Sequence, residues 1–257
     1  MPPAPIFDLS DHVALITGGN GGLGLAMARG LVKAGASIAI WGRNAEKNAA
    51  AVAALTAMGG RATAMQCDVT DSAACDAAFA ATVEEFGHVD SVFANAGGSG
   101  VRGPFHRMSD ADWHSTTALN VGSVIGCFRP AIHHWLARKA PGKLIVTSSI
   151  AGIIGIPQSS GYSTTKAAVQ GLVRSLAIEY GRAGIQANAI LPGFIETEMS
   201  LDTPQYFQDA CKRRAAAGEI GQLEDMEGIA VFLASRESRF MTGQCVVLDG
   251  GHTIFPL

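Results

Sequence analysis

Charge is scarce in this chain, and what there is follows no pattern. Charged residues make up 16% of the 257, and 22 acids against 19 lysines and arginines leave a net charge of -3. There is no basic stripe, which argues against a nucleic-acid partner. Aromatic residues are also few, at 7%. Long apolar runs are missing: Lys33, Asn120 or Lys166 breaks each stretch before it could span a bilayer, so no membrane association is expected. Met1–Ser10 has prolines and Asp8 but neither a basic region nor an apolar run, and does not read as a signal peptide. The five cysteines (Cys67, Cys75, Cys127, Cys211, Cys245) are odd in number, widely spaced and without C-x-x-C, which argues against a disulfide framework or a zinc site. Reduced thiols and a cytoplasmic location are the expectation. Cys67 and Cys127 stand among apolar residues and read as core.

The histidines give no metal pattern either. His133 and His134 are adjacent, so a helix points them apart, and His106 and His114 lie eight apart with no cysteine nearby. Nothing matches H-E-x-x-H. A hydrolase triad is disfavoured because Ser149 follows Thr147-Ser148 and no G-x-S-x-G is present.

What the chain has in quantity is apolar material, at 48%. It falls into short runs alternating with helical periods. The runs His12–Thr17, Ser37–Trp41, Ala62–Cys67, Ser91–Ala94, Lys143–Thr147, Gln186–Leu191 and Gln244–Leu248 read as strands. Between them, 22–34, 45–58, 73–86, 113–136, 162–180 and 224–233 read as helices. The strands are near-continuous Val, Ile, Leu and Ala, as expected when both faces are covered. This order predicts an α/β fold, a doubly wound parallel sheet with helices on both faces, Rossmann-like. No composition break marks a boundary, so residues 1–257 read as one dinucleotide-binding domain. The polar segment Glu196–Glu219 is expected to be irregular and to form a substrate lid; it contains Glu198, Met199, Tyr206, Phe207 and Cys211. Its basic triplet, Lys212, Arg213 and Arg214, reads more readily as a solvated helix face than as a contact for an acidic carrier.

Between the first strand and the first helix stands Thr17-Gly18-Gly19-Asn20-Gly21-Gly22-Leu23-Gly24. Glycines there let the backbone turn sharply and approach a pyrophosphate, and the helix N-terminus offers free N–H groups to its oxygens. The spacing is T-G-x-x-x-G-x-G, not G-x-G-x-x-G. With it the sequence resembles the short-chain dehydrogenase/reductase family, and the resemblance runs over nearly the whole chain. It includes Asp68 after the third strand, Asn95-Ala96-Gly97 after the fourth, Asn120, the set Ser149, Tyr162 and Lys166, and Pro192-Gly193 with Thr197 after the sixth. One departure is Ala94 where the family often has a second asparagine.

The resemblance implies a cofactor site formed by Gly18, Asn20, Gly22, Leu23, Gly24, Arg43, Asp68, Val69, Asn95, Ala96, Gly97, Tyr162, Lys166, Pro192, Gly193, Ile195 and Thr197. Gly42 stands where an NAD-selective acid would be, and Arg43 follows it. An arginine suits a 2′-phosphate, so NADP is expected and NAD is left open. Lys47, one turn on, could add charge; alternatively Arg43 is a solvated loop residue or stacks on adenine.

Hydride transfer to a ketone builds negative charge on oxygen, so a proton donor is needed there. Tyr162 and Lys166 are four apart and share a helix face. A cationic lysine beside a phenol is expected to lower its pKa from about 10. Ser149, thirteen residues before Tyr162, would bind the substrate oxygen. By resemblance Lys166 also holds the nicotinamide ribose and Asn120 supports a water leading to it. Asn120 could instead be a structural amide. The expected activity is hydride exchange between NADP(H) or NAD(H) and a secondary alcohol or ketone. A catalytically silent nicotinamide-binding sensor, or an epimerase or dehydratase on the same fold, are the alternatives.

The helix from Tyr162 is apolar nearly all round (Ala167, Ala168, Val169, Leu172, Val173, Leu176, Ala177, Ile178). Its second face implies a subunit interface, and the resemblance implies a homotetramer.

Overall fold

The computed structural model describes residues 6–254; half of the opening stretch Met1–Ser10, and the side chain of Met199, lie outside them. Seven parallel strands form one sheet in the order β3-β2-β1-β4-β5-β6-β7. In chain order they are β1 Val13–Thr17, β2 Ser37–Gly42, β3 Ala62–Gln66, β4 Ser91–Ala94, β5 Gly142–Thr147, β6 Ile185–Pro192 and β7 Cys245–Leu248. The helices are α1 Gly22–Lys33, α2 Ala45–Ala57, α3 Ser72–Phe86, α4 Asp110–Thr117, α5 Ser123–Arg138, α6 Ser160–Tyr180, α7 Glu198–Leu201, α8 Gln205–Arg214 and α9 Asp225–Ala234. The doubly wound expectation is met.

Side chains alternate across each strand, so β1 feeds two cores. Val13 and Leu15 join a cluster with Trp41, Phe128, Trp135 and Val173, under α3, α5 and α6. Ala14 and Ile16 join the other with Met27, Leu31, Ile40 and Leu233, under α1, α2 and α9. All five residues of β1 are buried, as a strand covered on both faces must be. The indoles that anchor the first cluster keep their N–H groups bonded: Trp41 donates to Thr82 Oγ1 at 3.1 Å and Trp135 to the Val89 carbonyl at 2.6 Å.

Three expectations need correction. The helix expected over 113–136 is present, but it is not regular: between α4 and α5, Ala118–Gly122 forms a wider π turn while the backbone stays helical. The segment 196–219 is not irregular. Thr197 caps α7, exchanging bonds with Ser200 in a capping box, and α8 follows Pro204. α7 is too short to show a helical period, and α8 is polar overall. Finally, β2 runs one residue beyond Trp41, and Gly42 pairs with Gln66.

Among the described residues no helix is long and apolar enough to cross a membrane, and no cluster of His, Cys, Asp or Glu is arranged to hold a metal. All five cysteines are free thiols.

Candidate active site

The C-terminal ends of the parallel strands point to one edge, and the loops leaving them surround a crevice. β1 leads into the glycine turn. Gly18 takes a φ of +64°, and a Cβ there would stand 3.2 Å from Ala96 Cα. A Cβ on Gly24 would collide with the Gly18 carbonyl and lie 2.7 Å from Asn95 Nδ2. Those two positions let α1 start directly on the turn, with its N–H groups aimed into the crevice. The turn is pinned from β4: the Asn95 and Ala96 amides each donate to Thr17 Oγ1 at 3.0 Å, and Asn95 Nδ2 donates to the Thr17 carbonyl at 3.1 Å. Asn95 and Ala96 thus shape the turn whether or not they touch a ligand.

On the far side, Gly193 donates to the Leu248 carbonyl, and Ile195 is buried and bridges to Gly221. Thr197 Cγ2 lies 3.9 Å from where a Cβ on Gly22 would stand. The glycine turn and the segment after β6 therefore face each other across a gap that a side chain at Gly22 would enter. Leu23, Gly193, Ile195 and Thr197 line the adjoining cavity.

At the end of β2, Asn20 Nδ2 donates to Asn48 Oδ1 at 2.7 Å, and Asn48 Nδ2 donates to the Gly42 carbonyl at 2.9 Å. A Cβ at Gly42 would collide with both amides. Arg43 beside it is exposed, and among the described residues its guanidinium is in no ion pair. Asp68 holds two bonds from Thr70, which with the charge of Arg43 keep its carboxyl below the usual range. Val69 beside it is buried. Lys47 is not turned to the crevice alone: its ammonium pairs with Glu198 at 3.1 Å, tying α2 to α7.

Ser149 follows β5, and Tyr162 and Lys166 lie one turn apart on α6. Both Ser149 and Tyr162 line the cavity. Burial pushes the Tyr162 phenol up from its usual value; the Ser149 hydroxyl and then the charge of Arg102 pull it back. Lys166 is not among those influences, contrary to the expectation from spacing. The Lys166 side chain is itself buried, and burial holds its ammonium down to about 8. Its nitrogen sits 5.7 Å from the Tyr162 ring centre and donates to the Thr147 carbonyl at 2.8 Å. An ammonium has three donors, so two remain for other partners. A Cβ on Gly97 would be 3.4 Å from this nitrogen. Ser148, the neighbour most easily confused with Ser149, points away and donates to the Lys166 carbonyl at 2.8 Å.

Asn120 lies in the π turn, 2% exposed. Its amide donates to the Gly98 carbonyl at 2.9 Å and to Thr165 Oγ1 at 3.1 Å, and its oxygen accepts from the Gly98 N–H at 2.9 Å. It clamps the loop after β4 to α6, and one acceptor position is left on Oδ1. π turns of this kind recur at functional sites.

The cavity has a volume of about 800 Å³. Apolar walls come from Ile154, Ile156, Phe194 and Phe207, and polar groups from Ser99, Arg102, Arg214 and His252. Arg102, His252 and the isoleucines were not singled out by sequence. They come from three distant stretches, and no local pattern announces them. The basic triplet was read as solvated, and Lys212, Arg213 and Arg214 are all exposed; Arg214 in addition lines the cavity.

Residues 18–253 match the family model described as enoyl-(acyl carrier protein) reductase. The chain is 36% identical over 251 residues to gluconate 5-dehydrogenase from Gluconobacter oxydans (strain 621H), covering 97% of each. Among solved structures it is similar to a gluconate 5-dehydrogenase from Burkholderia cenocepacia J2315 in complex with NADP and tartrate (TM-score 0.91, 36% identity, 96% of this chain and 97% of that one). It is also similar to a 7α-hydroxysteroid dehydrogenase complexed with NADH and 7-oxo glycochenodeoxycholic acid (TM-score 0.91, 28% identity, 95% of each).

Proposed function

The chain belongs to the short-chain dehydrogenase/reductase family and is an NAD(P)-dependent oxidoreductase, and from that premise we propose that it interconverts a secondary alcohol and a ketone with Tyr162 as the proton donor and acceptor. The observation that carries this reading is the convergence of Ser149 and Tyr162 on one cavity wall, with the Lys166 ammonium behind them and the glycine turn across the gap.

A bound nicotinamide supplies or accepts the hydride. The chain's own residues do the rest. Ser149 and Tyr162 donate to the ketone oxygen and orient the carbonyl carbon. As that carbon gains its hydride, the oxygen takes the Tyr162 proton, leaving a phenolate. The two uncommitted donors of Lys166 would hold the ribose of a bound cofactor, and the ammonium returns a proton to Tyr162. Asn120 acts by position: it holds the loop at Gly98 and the α6 backbone around Thr165, and its open acceptor site can anchor a water on the path from Lys166. In the alcohol-oxidising direction each proton move reverses.

We assign NADP as the preferred cofactor. The support is the pairing of Gly42, closed to a side chain by Asn20 and Asn48, with Arg43, an unpaired guanidinium suited to a 2′-phosphate. NAD stays open, since the similar structures carry either form. Asp68 and Val69 are assigned to the adenine, Pro192, Gly193, Ile195 and Thr197 to the nicotinamide side. The segment 196–219 closes over a small-molecule substrate as a lid. Ala167, Ala168 and Ile178 on α6 are exposed, Ile178 at 87%, and support a subunit interface in a cytoplasmic homotetramer.

A panel of ketones and alcohols run with each cofactor, followed at the reduced-nicotinamide absorbance, tests the reading. Turnover is expected with NADPH favoured, and Arg43→Asp is expected to reverse the cofactor preference in KM. Cofactor binding with no turnover on any substrate would leave a sensor. Product without net cofactor oxidation would leave an epimerase or dehydratase.

A further inference from the structure

The cavity beyond Ser149 and Tyr162 holds a charge imbalance that hydride transfer does not call for. Its walls are mostly apolar, yet two guanidiniums reach it from different elements: Arg102 from the loop after β4 and Arg214 from the last turn of α8. One carboxylate, Asp202, lines the same cavity. Among the described residues, neither arginine is in an ion pair with Asp202 or any other acid. Nor is the excess a by-product of composition, since acids outnumber bases 22 to 19 overall. His252 adds hydrogen-bonding capacity but no charge near neutral pH, because burial and then Arg214 hold its imidazole below the usual value. Two cations against one anion leave the cavity with one net positive charge.

We propose that the substrate is an organic monocarboxylate, its anionic end held by Arg102 and Arg214 and its body lying against Ile154, Ile156, Phe194 and Phe207, with the reacting carbon at Ser149 and Tyr162. The proposal rests on the redox reading of Tyr162 given above. A guanidinium offers a planar fork of donors that matches a carboxylate. Both arginines are exposed as well as cavity-lining, so solvent screens part of their attraction. Asp202 sets the limit: with one net positive charge, a monoanion is balanced and a phosphate ester is not.

The test uses a panel of oxo acids, each paired with the neutral primary amide of the same skeleton. With NADPH, kcat/KM is expected to favour the acids by roughly tenfold or more. In the double variant Arg102→Met/Arg214→Met that ratio is expected to fall toward one. Equal rates on acid and amide in the unaltered protein, a ratio that survives in the double variant, or a phosphate ester preferred over the carboxylate would each overturn the proposal. Calorimetric titration of the same pairs into the NADPH-bound protein separates the two readings. Acids that bind more tightly than amides without turning over support the anion site and sink the redox assignment. Acids that bind no better than amides sink the anion site, whatever the turnover.

Discussion

The sheet has a lysine at each edge. Lys143 stands at the start of β5, at the edge where strands begin, and Lys166 lies on α6 behind the edge where they end. Burial holds both ammonium groups down to about 8. Yet their surroundings differ in kind. Lys143 donates to Gln186 Oε1 at 2.6 Å and Ser238 Oγ at 2.8 Å, and Gln186 and Ser238 are themselves bonded onward. Among the described residues Lys166 has one hydrogen bond, to the Thr147 carbonyl, and it sits beside a phenol that lines a cavity. A depressed lysine therefore does not mark a site by itself. Uncommitted donors beside an open volume do, because only they can bind something that is not protein.

Replacing each lysine with methionine tests this contrast most strongly. Lys166→Met is expected to lower kcat by on the order of 10²- to 10³-fold. Lys143→Met is expected to leave kcat unchanged and to lower unfolding stability by about 1–3 kcal/mol, since buried polar partners lose their donor. Steady-state kinetics and denaturant unfolding on both variants would check it. Comparable losses of activity in the two would break the comparison.

The beginning edge also carries the acid sensitivity. His12 is largely buried, with Nε2 2.9 Å from Ser91 Oγ and Nδ1 4.0 Å from Asp90. Burial, opposed by Asp90 and assisted by Lys143 and His88, holds its imidazole down to about 4 against 6.5. The folded state thus keeps His12 neutral where the unfolded chain takes a proton. Stability is expected to be unaffected by this group above about pH 6.5 and to fall as pH drops from there toward 4, by at most about 3 kcal/mol. His12→Gln should flatten that part of the stability profile, and an unchanged slope would remove His12 as its cause.

How much of this was legible beforehand follows from the same contrast. Strands buried on both faces announce themselves as apolar runs, so β1, β2 and β4 to β6 were readable with small errors at their ends, and the half-buried outer strands β3 and β7 were readable as shorter runs in the same alternation. The glycine turn and the Tyr162–Lys166 pair were readable because their chemistry depends on close spacing in one element. What lay beyond reach depends on distant residues meeting. Asn20 closes Gly42 only because the turn after β1 packs against the end of β2 and the start of α2. Arg102, Arg214 and His252 share a cavity only after three distant segments converge. The π turn at Asn120 keeps the backbone helical, so the sequence shows the long helix of α4 and α5 but not the widening inside it. The effect on Tyr162 was misjudged for a similar reason. Spacing placed Lys166 near the phenol but could not show how deeply burial affects both groups.

The smallest expected effect isolates the scaffold half of the comparison. Ser238 accepts from Lys143 and donates within its own turn, toward the Leu233 and Ser235 carbonyls at 3.0 Å each. Removing its hydroxyl leaves Lys143 still bonded to Gln186, so the ammonium keeps one partner. Ser238→Ala should therefore cost only about 1 kcal/mol in unfolding stability, with kcat and KM unchanged because nothing at that edge touches the cavity. A change in kcat at constant stability would mean that the two edges are coupled through β5, and the division between a satisfied lysine and a working one would have to be given up.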